Sequence, residues 1–404
     1  MQISNTAYGS TDGARSYDYA VVIGRFQPVH QGHVALLRAG LQHARKLIVV
    51  AGSMSQPRSF KNPFTVDERE QMIRAALPAC DQARVQVTGV SDAPYDDAEW
   101  LQAVQAAVYA AMRAQGDDPA TARVALLGHM KDQSSYYLRI FPNWQWQPFA
   151  NVEGIDATAI RHSYFSDEKP PHALPPLWQQ QAVLPASTVD FLRTFRQTPP
   201  WQALHDERAF LLDFGQQHRY AHGGAMPVLC LVQAVVLWRQ HILLVQRQQQ
   251  PGRGNWALPE TLLQAGERLL DAAGRALRAV DVGAGEGAME GVEQACTAAT
   301  LRAHVRASAV LDVPGRNQLG QAISHAFLLQ WPDDAPAPWL PAADVPHRVR
   351  WQPVAQWPTM QPLLHEDHYF IARHFLDTPT ATSAAAPATA CPCPCCAPDK
   401  ETAA

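Results

Sequence analysis

The feature that most limits what this chain can fold into is a rhythm in its first third. Four short apolar runs, Tyr19 to Phe26, Lys46 to Ser53, Arg84 to Val90 and Arg123 to His129, alternate with stretches of helical period. Val34, Leu37 and Leu41 share one helical face, and Trp100, Leu101, Val104, Val108 and Met112 share another. Near Thr65 the sequence carries a capping box, with Glu68 three residues on to reach back to the cap. Such alternation predicts an α/β fold with a doubly wound, Rossmann-like parallel sheet, whose ligands bind beyond the carboxyl ends of the strands.

One of those ends is crossed by VVIGRFQPVHQGHVALL, residues 21 to 37. A glycine directly after a buried strand lets the backbone approach a phosphate, and a helix starting near His33 would aim free N–H groups at the same place. His30 and His33, three residues apart, can project to one side and donate to phosphoryl oxygens, with Gly32 between them. Read without the rest of the string, the two histidines are equally explained as helix caps.

The string GRFQPVHQGH resembles the HxGH signature of nucleotidyltransferases, in which two histidines contact the ATP phosphates. Further strings in chain order resemble one branch of that superfamily, the bifunctional nicotinamide mononucleotide (NMN) adenylyltransferase/Nudix hydrolases: GSMSQPRSFKNPFTVDER from residue 52, GHMKDQSSYYLRIFPNW from residue 128, and IDATAIR ending at Arg161. The resemblance implies catalytic roles for His30, His33 and Arg161 and an ATP site of Gly24, Arg25, Phe26, Gly32, Lys61, Gly128 and Thr158. It also implies that Asp92 and Trp100 hold the nicotinamide nucleotide, an indole for the ring and an acceptor for its carboxamide. Asp156 departs from the family's small neutral residue, so it must turn from the triphosphate or help hold the metal. The implied reaction joins ATP and NMN, with Mg2+, into NAD and pyrophosphate. Within the same superfamily, an enzyme acting on pantetheine phosphate is the first alternative.

After an irregular, proline-broken stretch comes a second apolar series: Val228 to Trp238, HILLVQR, a glycine-rich turn, an amphipathic segment from Glu267 to Val280, RASAVLDV and SHAFLLQW. It predicts a mixed α+β domain. GNWALPETLLQAGERLLDAAGRALRAVDVG, residues 254 to 283, resembles a Nudix box with its frame intact. Aligning Glu267 with the first glutamate places Arg275 on the motif arginine, yet Ala276, Ala279 and Val280 stand where the metal-binding glutamates belong. Thr261 and Val282 replace box glycines. Oxygen ligands are what hold magnesium in such a site, so hydrolysis is expected to be impaired, with Glu267 as the residual metal ligand. The alternatives are a fully active ADP-ribose pyrophosphatase, a non-catalytic nucleotide sensor, and a dimerisation module.

The 404 residues thus divide into a polar start (1–18), a nucleotidyltransferase domain (19–183), a helical linker (184–224), a Nudix-like domain (225–378) and an Ala/Thr/Pro/Cys tail (379–404) too poor in large apolar residues to build a core. Four of the seven cysteines crowd into that tail, in a spacing that matches no zinc pattern. A net charge of −4 argues against nucleic acid or an anionic membrane as partner. The opening residues lack the apolar core of a signal peptide, which makes a cytoplasmic protein the expectation. Expected partners are the small molecules ATP and NMN, with ADP-ribose as a further candidate; a homo-oligomer is compatible with all of this.

Overall fold

The structure is a computed structural model, and it describes residues 16–130, 137–150, 154–167, 175–221, 223–280, 286–335, 339 and 348–377, with backbone alone for 286–290. Residues 131–136 of the GHMKDQSSYYL string, the box position Val282, the polar start up to residue 15 and the cysteine-bearing tail lie outside the described residues.

The first sheet comprises β1 (Tyr17–Gly24), β2 (Ala44–Ala51), β3 (Val85–Gly89), β4 (Val124–Gly128) and β5 (Trp144–Pro148). All pairings are parallel, in the order β3-β2-β1-β4-β5. The four apolar runs are the first four strands. The fifth, WQWQP, alternates polar and apolar residues at the sheet edge and carries no continuous apolar signal. Chain order reverses between β1 and β4, so a crevice opens beyond Gly24 and Gly128, where open α/β sheets bind ligands.

Helices α1 (Gln31–His43), α2 (Val66–Ala75), the short α3 (Ala79–Gln82), α4 (Asp97–Ala114) and α5 (Ala157–Tyr164) cover the sheet. Val34, Leu37 and Leu41 of α1 enter the core on one face of the sheet, and Val104, Val108 and Met112 of α4 enter the core on the other. At about 25 cal/mol per Å² of apolar surface, each large side chain buried there contributes roughly 1.5 to 3 kcal/mol.

The stretch after residue 184 is more than a connection. Helix α6 (Ala186–Phe195) and the start of α7 (Pro199–Ala221) add Val189, Leu192, Phe195, Trp201 and Leu204 to the core of the first domain. Its prolines mark helix starts at Pro185 and Pro199, and the amphipathic faces between them were hidden by that punctuation.

The second sheet is mixed. Its strands are β6 (Leu229–Trp238), β7 (His241–Gln246), β8 (Trp256–Ala257), β9 (Glu260–Leu262), β10 (Val305–Leu311), β11 (Ala322–Gln330) and β12 (Val349–Pro353). The main path runs β10-β11-β6-β7-β12, with β6 and β11 parallel and the rest antiparallel. Helices α8 (Leu269–Arg278), α9 (Glu286–Ala295) and α10 (Ala298–His304) pack on one face, and α11 (His368–Leu376) on the other. No helix among the described residues is long and apolar enough to cross a membrane.

Candidate active site

The site is assembled where the loops after β1, β2 and β3 meet. Two buried polar side chains fix the loop that leaves β1. Gln27 donates from Nε2 to the Phe64 carbonyl and accepts the Phe64 N–H, both at 2.9 Å. Arg69, only 1% exposed, donates from Nη1 to the carbonyls of Arg25 (2.9 Å) and Gly52 (2.7 Å). One guanidinium therefore ties together the ends of two adjacent strands. Neither residue stands out in the sequence, although Arg69 closes the NPFTVDER stretch. Phe26 adopts φ 54°, a left-handed conformation costly for a non-glycine residue, and its ring edge lies 3.2 Å from where a Cβ on Gly24 would stand. Gly24 is thus required for close packing at the mouth of the crevice.

Helix α1 begins at Gln31, two residues earlier than the position expected at His33, and the two histidines cap it reciprocally. The His33 N–H donates to His30 Nδ1 and the His30 N–H donates to His33 Nδ1, each at 3.3 Å, with the rings stacked at 3.6 Å. Capping and phosphate contact, posed as alternatives by the sequence, are compatible. With Nδ1 accepting from the backbone, each neutral ring carries its proton on Nε2. Burial pulls the His30 pKa down to about 4 against the opposing charge of Asp156. Burial, then the neighbouring His30, hold His33 well below the usual histidine range, opposed by a hydrogen bond to the Pro28 backbone. Both rings are therefore neutral donors at pH 7.

Asp156 is tied to the start of α5, and its charge still reaches His30 and Arg161. It is the N-cap of α5, accepting from the N–H groups of Thr158 (3.0 Å) and Ala159 (3.3 Å). A carboxylate here does the work of a neutral capping residue. Arg161, 5% exposed, donates from Nη1 to the Gln27 carbonyl (2.8 Å) and from Nη2 to Thr158 Oγ1 (3.2 Å), while its buried Nε has no protein partner. Burial first, and then Arg25, lower its pKa to about 10, so it stays charged. Gly128 ends β4, where a Cβ would lie 2.6 Å from Leu138; packing alone accounts for that glycine.

Asp92 accepts from Ser53 Oγ (2.7 Å), the Ser53 N–H (3.2 Å) and Gln56 Nε2 (3.0 Å). An ionised carboxylate has about four acceptor positions, so one remains for a ligand. Trp100 lines the same cavity as Asp92 and also packs edge-on against Tyr137 at 5.4 Å, which makes it at once a core anchor and a cavity wall. Lys61 is found at this end of the site. Its Nζ donates to the Gly315 carbonyl of the second domain at 2.5 Å, and burial, then Arg25, lower its pKa while Asp92 and Glu366 oppose.

In the second domain the box frame is present. Arg275 engages both oxygens of Glu267 (2.9 and 2.8 Å), Thr261 Oγ1 and the Leu262 carbonyl, and the Gln264 N–H donates to Glu267 Oε2 at 3.0 Å. Arg275 first among its partners holds the Glu267 pKa down at about 2. Ala276 and Val280 are buried in the domain core. The carboxylate expected as a residual metal ligand is thus committed to an arginine. Among the described residues no group of three or more His, Cys, Asp or Glu side chains could hold a metal ion.

A parallel sheet with paired histidines at its switch point, a buried arginine behind them and a mixed-sheet module alongside define a nucleotidyltransferase carrying a Nudix-fold domain. Comparison with known proteins agrees. Residues 21–163 match the cytidylyltransferase-like family. The nicotinamide/nicotinic acid mononucleotide adenylyltransferase of Acinetobacter baylyi is 34% identical over 192 residues, 47% of this chain and 93% of that one. A crystal structure of a bifunctional NMN adenylyltransferase/ADP-ribose pyrophosphatase from Francisella tularensis, complexed with AMP and a manganese ion, superposes with a TM-score of 0.74 at 27% identity, covering 89% of this chain and 99% of that one. The chain belongs to the nicotinamide-nucleotide adenylyltransferase family, it is a nucleotidyltransferase, and over most of its length it is similar to the bifunctional enzyme.

Proposed function

We propose that the first domain makes NAD by direct adenylyl transfer: the 5'-phosphate of NMN attacks the α-phosphorus of ATP in line, the bond to the bridging oxygen breaks, and pyrophosphate leaves. The observation that carries this reading is the reciprocal cap of His30 and His33, which fixes two neutral Nε2–H donors beside the amino end of α1. His30 donates to the triphosphate, and His33 exchanges the Pro28 carbonyl for a phosphoryl oxygen. Arg161, immobilised by Gln27 and Thr158, adds positive charge where negative charge develops. The attacking phosphate is already ionised, so alignment and charge neutralisation are the whole task.

Gly24, Arg25, Phe26, Gly32, Gly128 and Thr158 shape the ATP side of the crevice, while Asp92 and Trp100 receive the nicotinamide. Lys61 stands between the two ends. In this reading ATP enters as its magnesium complex, the metal held by phosphate oxygens and water, since the described residues offer it no cluster of their own.

The second domain, in the same proposal, is impaired as a hydrolase. Two alanines and a valine fill the acidic box positions, and Glu267 is bound by Arg275, so the residues present do not suit a catalytic metal. It acts instead as a nucleotide-binding module. Purified full-length protein given ATP, NMN and Mg2+ should release NAD and pyrophosphate at ordinary enzymatic rates of about 1 s⁻¹ or more. Given ADP-ribose with Mg2+ or Mn2+, it should form AMP at least about a hundredfold more slowly. Comparable rates for the two products would refute the impairment, and absence of NAD would refute the synthetase.

A further inference from the structure

A cavity of about 290 Å³ lies on the seam between the domains. Its first-domain wall includes Lys61, Asp92 and Trp100, and its second-domain wall includes Asn255, Val313 and Glu366. The seam is bonded through the loops that carry the first set. The Lys61 N–H donates to Gln318 Oε1 at 3.3 Å, and its Nζ donates to the Gly315 carbonyl at 2.5 Å. Glu207, 3% exposed, accepts the Phe60 N–H (2.8 Å), the Gly252 N–H (3.1 Å) and Gln318 Nε2 (3.1 Å), joining both domains and α7 at one carboxylate. On the other flank, Tyr95 donates to Asp367, which is paired with Arg316 at 2.7 Å, and Arg373 pairs with Glu99 at 2.7 Å. Glu366 is held facing this space at φ 44°, accepting from Asn317 Nδ2 (2.6 Å) and the Gln318 N–H (2.8 Å).

We propose that the second domain supplies the far wall of the mononucleotide site, so that the first domain's affinity for nicotinamide mononucleotide depends on residues of its neighbour. This rests on the assignment of Asp92 and Trp100 to the nicotinamide. Trp100 and Val313 line the same cavity, so a ring that occupies it beside Trp100 takes apolar surface out of water on residues of both domains. The Lys61 ammonium, within the field of Asp92 and donating to the Gly315 carbonyl, is positioned by partners from two domains. Burial pushes the Glu366 pKa up to about 8, so at pH 7 this carboxyl is largely neutral and adds little charge to the cavity. ATP, bound at the histidines, meets that wall only through Lys61, which neither Val313 nor Asn255 is shown to bond.

The test is steady-state kinetics on the full chain carrying Val313→Trp. Val313 lines the cavity, is half-buried and belongs to none of the apolar cores, so an indole there fills substrate space. KM for NMN should rise roughly tenfold or more, while KM for ATP stays within about twofold. Asn255→Leu, whose wild-type side chain lines the same wall, is read in its place if circular dichroism shows the first variant unfolded. Trp100→Ala runs alongside. If Trp100→Ala raises KM for NMN and the folded second-domain variants do not, the second domain is a bystander and the inference falls. If Trp100→Ala also changes nothing, the assignment of the nicotinamide falls first and takes the inference with it.

Discussion

At the scale of single residues, the cap that His30 and His33 form decides which of their ring nitrogens carries the proton. Nδ1 is spent on the helix cap and Nε2 is left to donate, so the backbone itself chooses the tautomer. The sequence showed the pair and their spacing; it could not show that the cap occupies Nδ1 of both rings and leaves the proton on Nε2. The prediction is spectroscopic. At pH 6.5, ¹⁵N NMR of the imidazoles should find both rings neutral with the proton on Nε2, and His30 should take up a second proton only near pH 4. Its folded pKa lies below its unfolded value, so the unfolded chain binds the proton first and stability falls as pH drops from about 6.5 toward 4. A His30 midpoint near 6.5 would contradict the burial argument. Gln27 and Arg69 were invisible for a different reason: their value lies in which carbonyls they meet, and those lie 17 to 44 residues away.

Among the elements, those with strong periodicity or a continuous apolar run were legible: β1 to β4, α1, α4, β6 and the box helix α8. The capping box at Thr65 is also found, with Thr65 accepting from the Glu68 N–H and Glu68 accepting from the Thr65 N–H. Edge strands β5 and β12 were not, because half of each faces solvent or a neighbouring loop. The α5 start is the instructive case. Its aspartate read as a threat to the triphosphate, but an N-cap needs only an acceptor, and a carboxylate serves as well as a hydroxyl. Asp156→Ala should therefore lower stability by about 1 kcal/mol, within the usual range of 0.5 to 2 kcal/mol for a lost cap. Urea denaturation would read it as a lower midpoint with an unchanged slope. Unchanged stability would mean that the two N–H groups find water as good a partner. In α8, Gly274 has an equally local reason: a Cβ there would stand 2.3 Å from the Cys296 carbonyl.

For the whole molecule, two domains that looked like beads on a linker share a seam. Glu207 accepts from both, and α6 with the start of α7 completes the first core before the chain crosses to the second sheet. Proline-rich punctuation concealed this, since composition marks where helices begin and is silent on what they pack against. That architecture leaves the histidine pair at the sheet's switch point as the centre of the account, and one measurement bears on it most directly. His33→Ala, assayed as full-length protein with saturating ATP, NMN and Mg2+, should lose about two to three powers of ten in NAD formation, the effect of removing one donor worth about 3 to 4 kcal/mol. Its circular dichroism spectrum should remain that of the wild type. A folded variant that turns over within about threefold of wild type would remove His33 from the reaction and contradict the account.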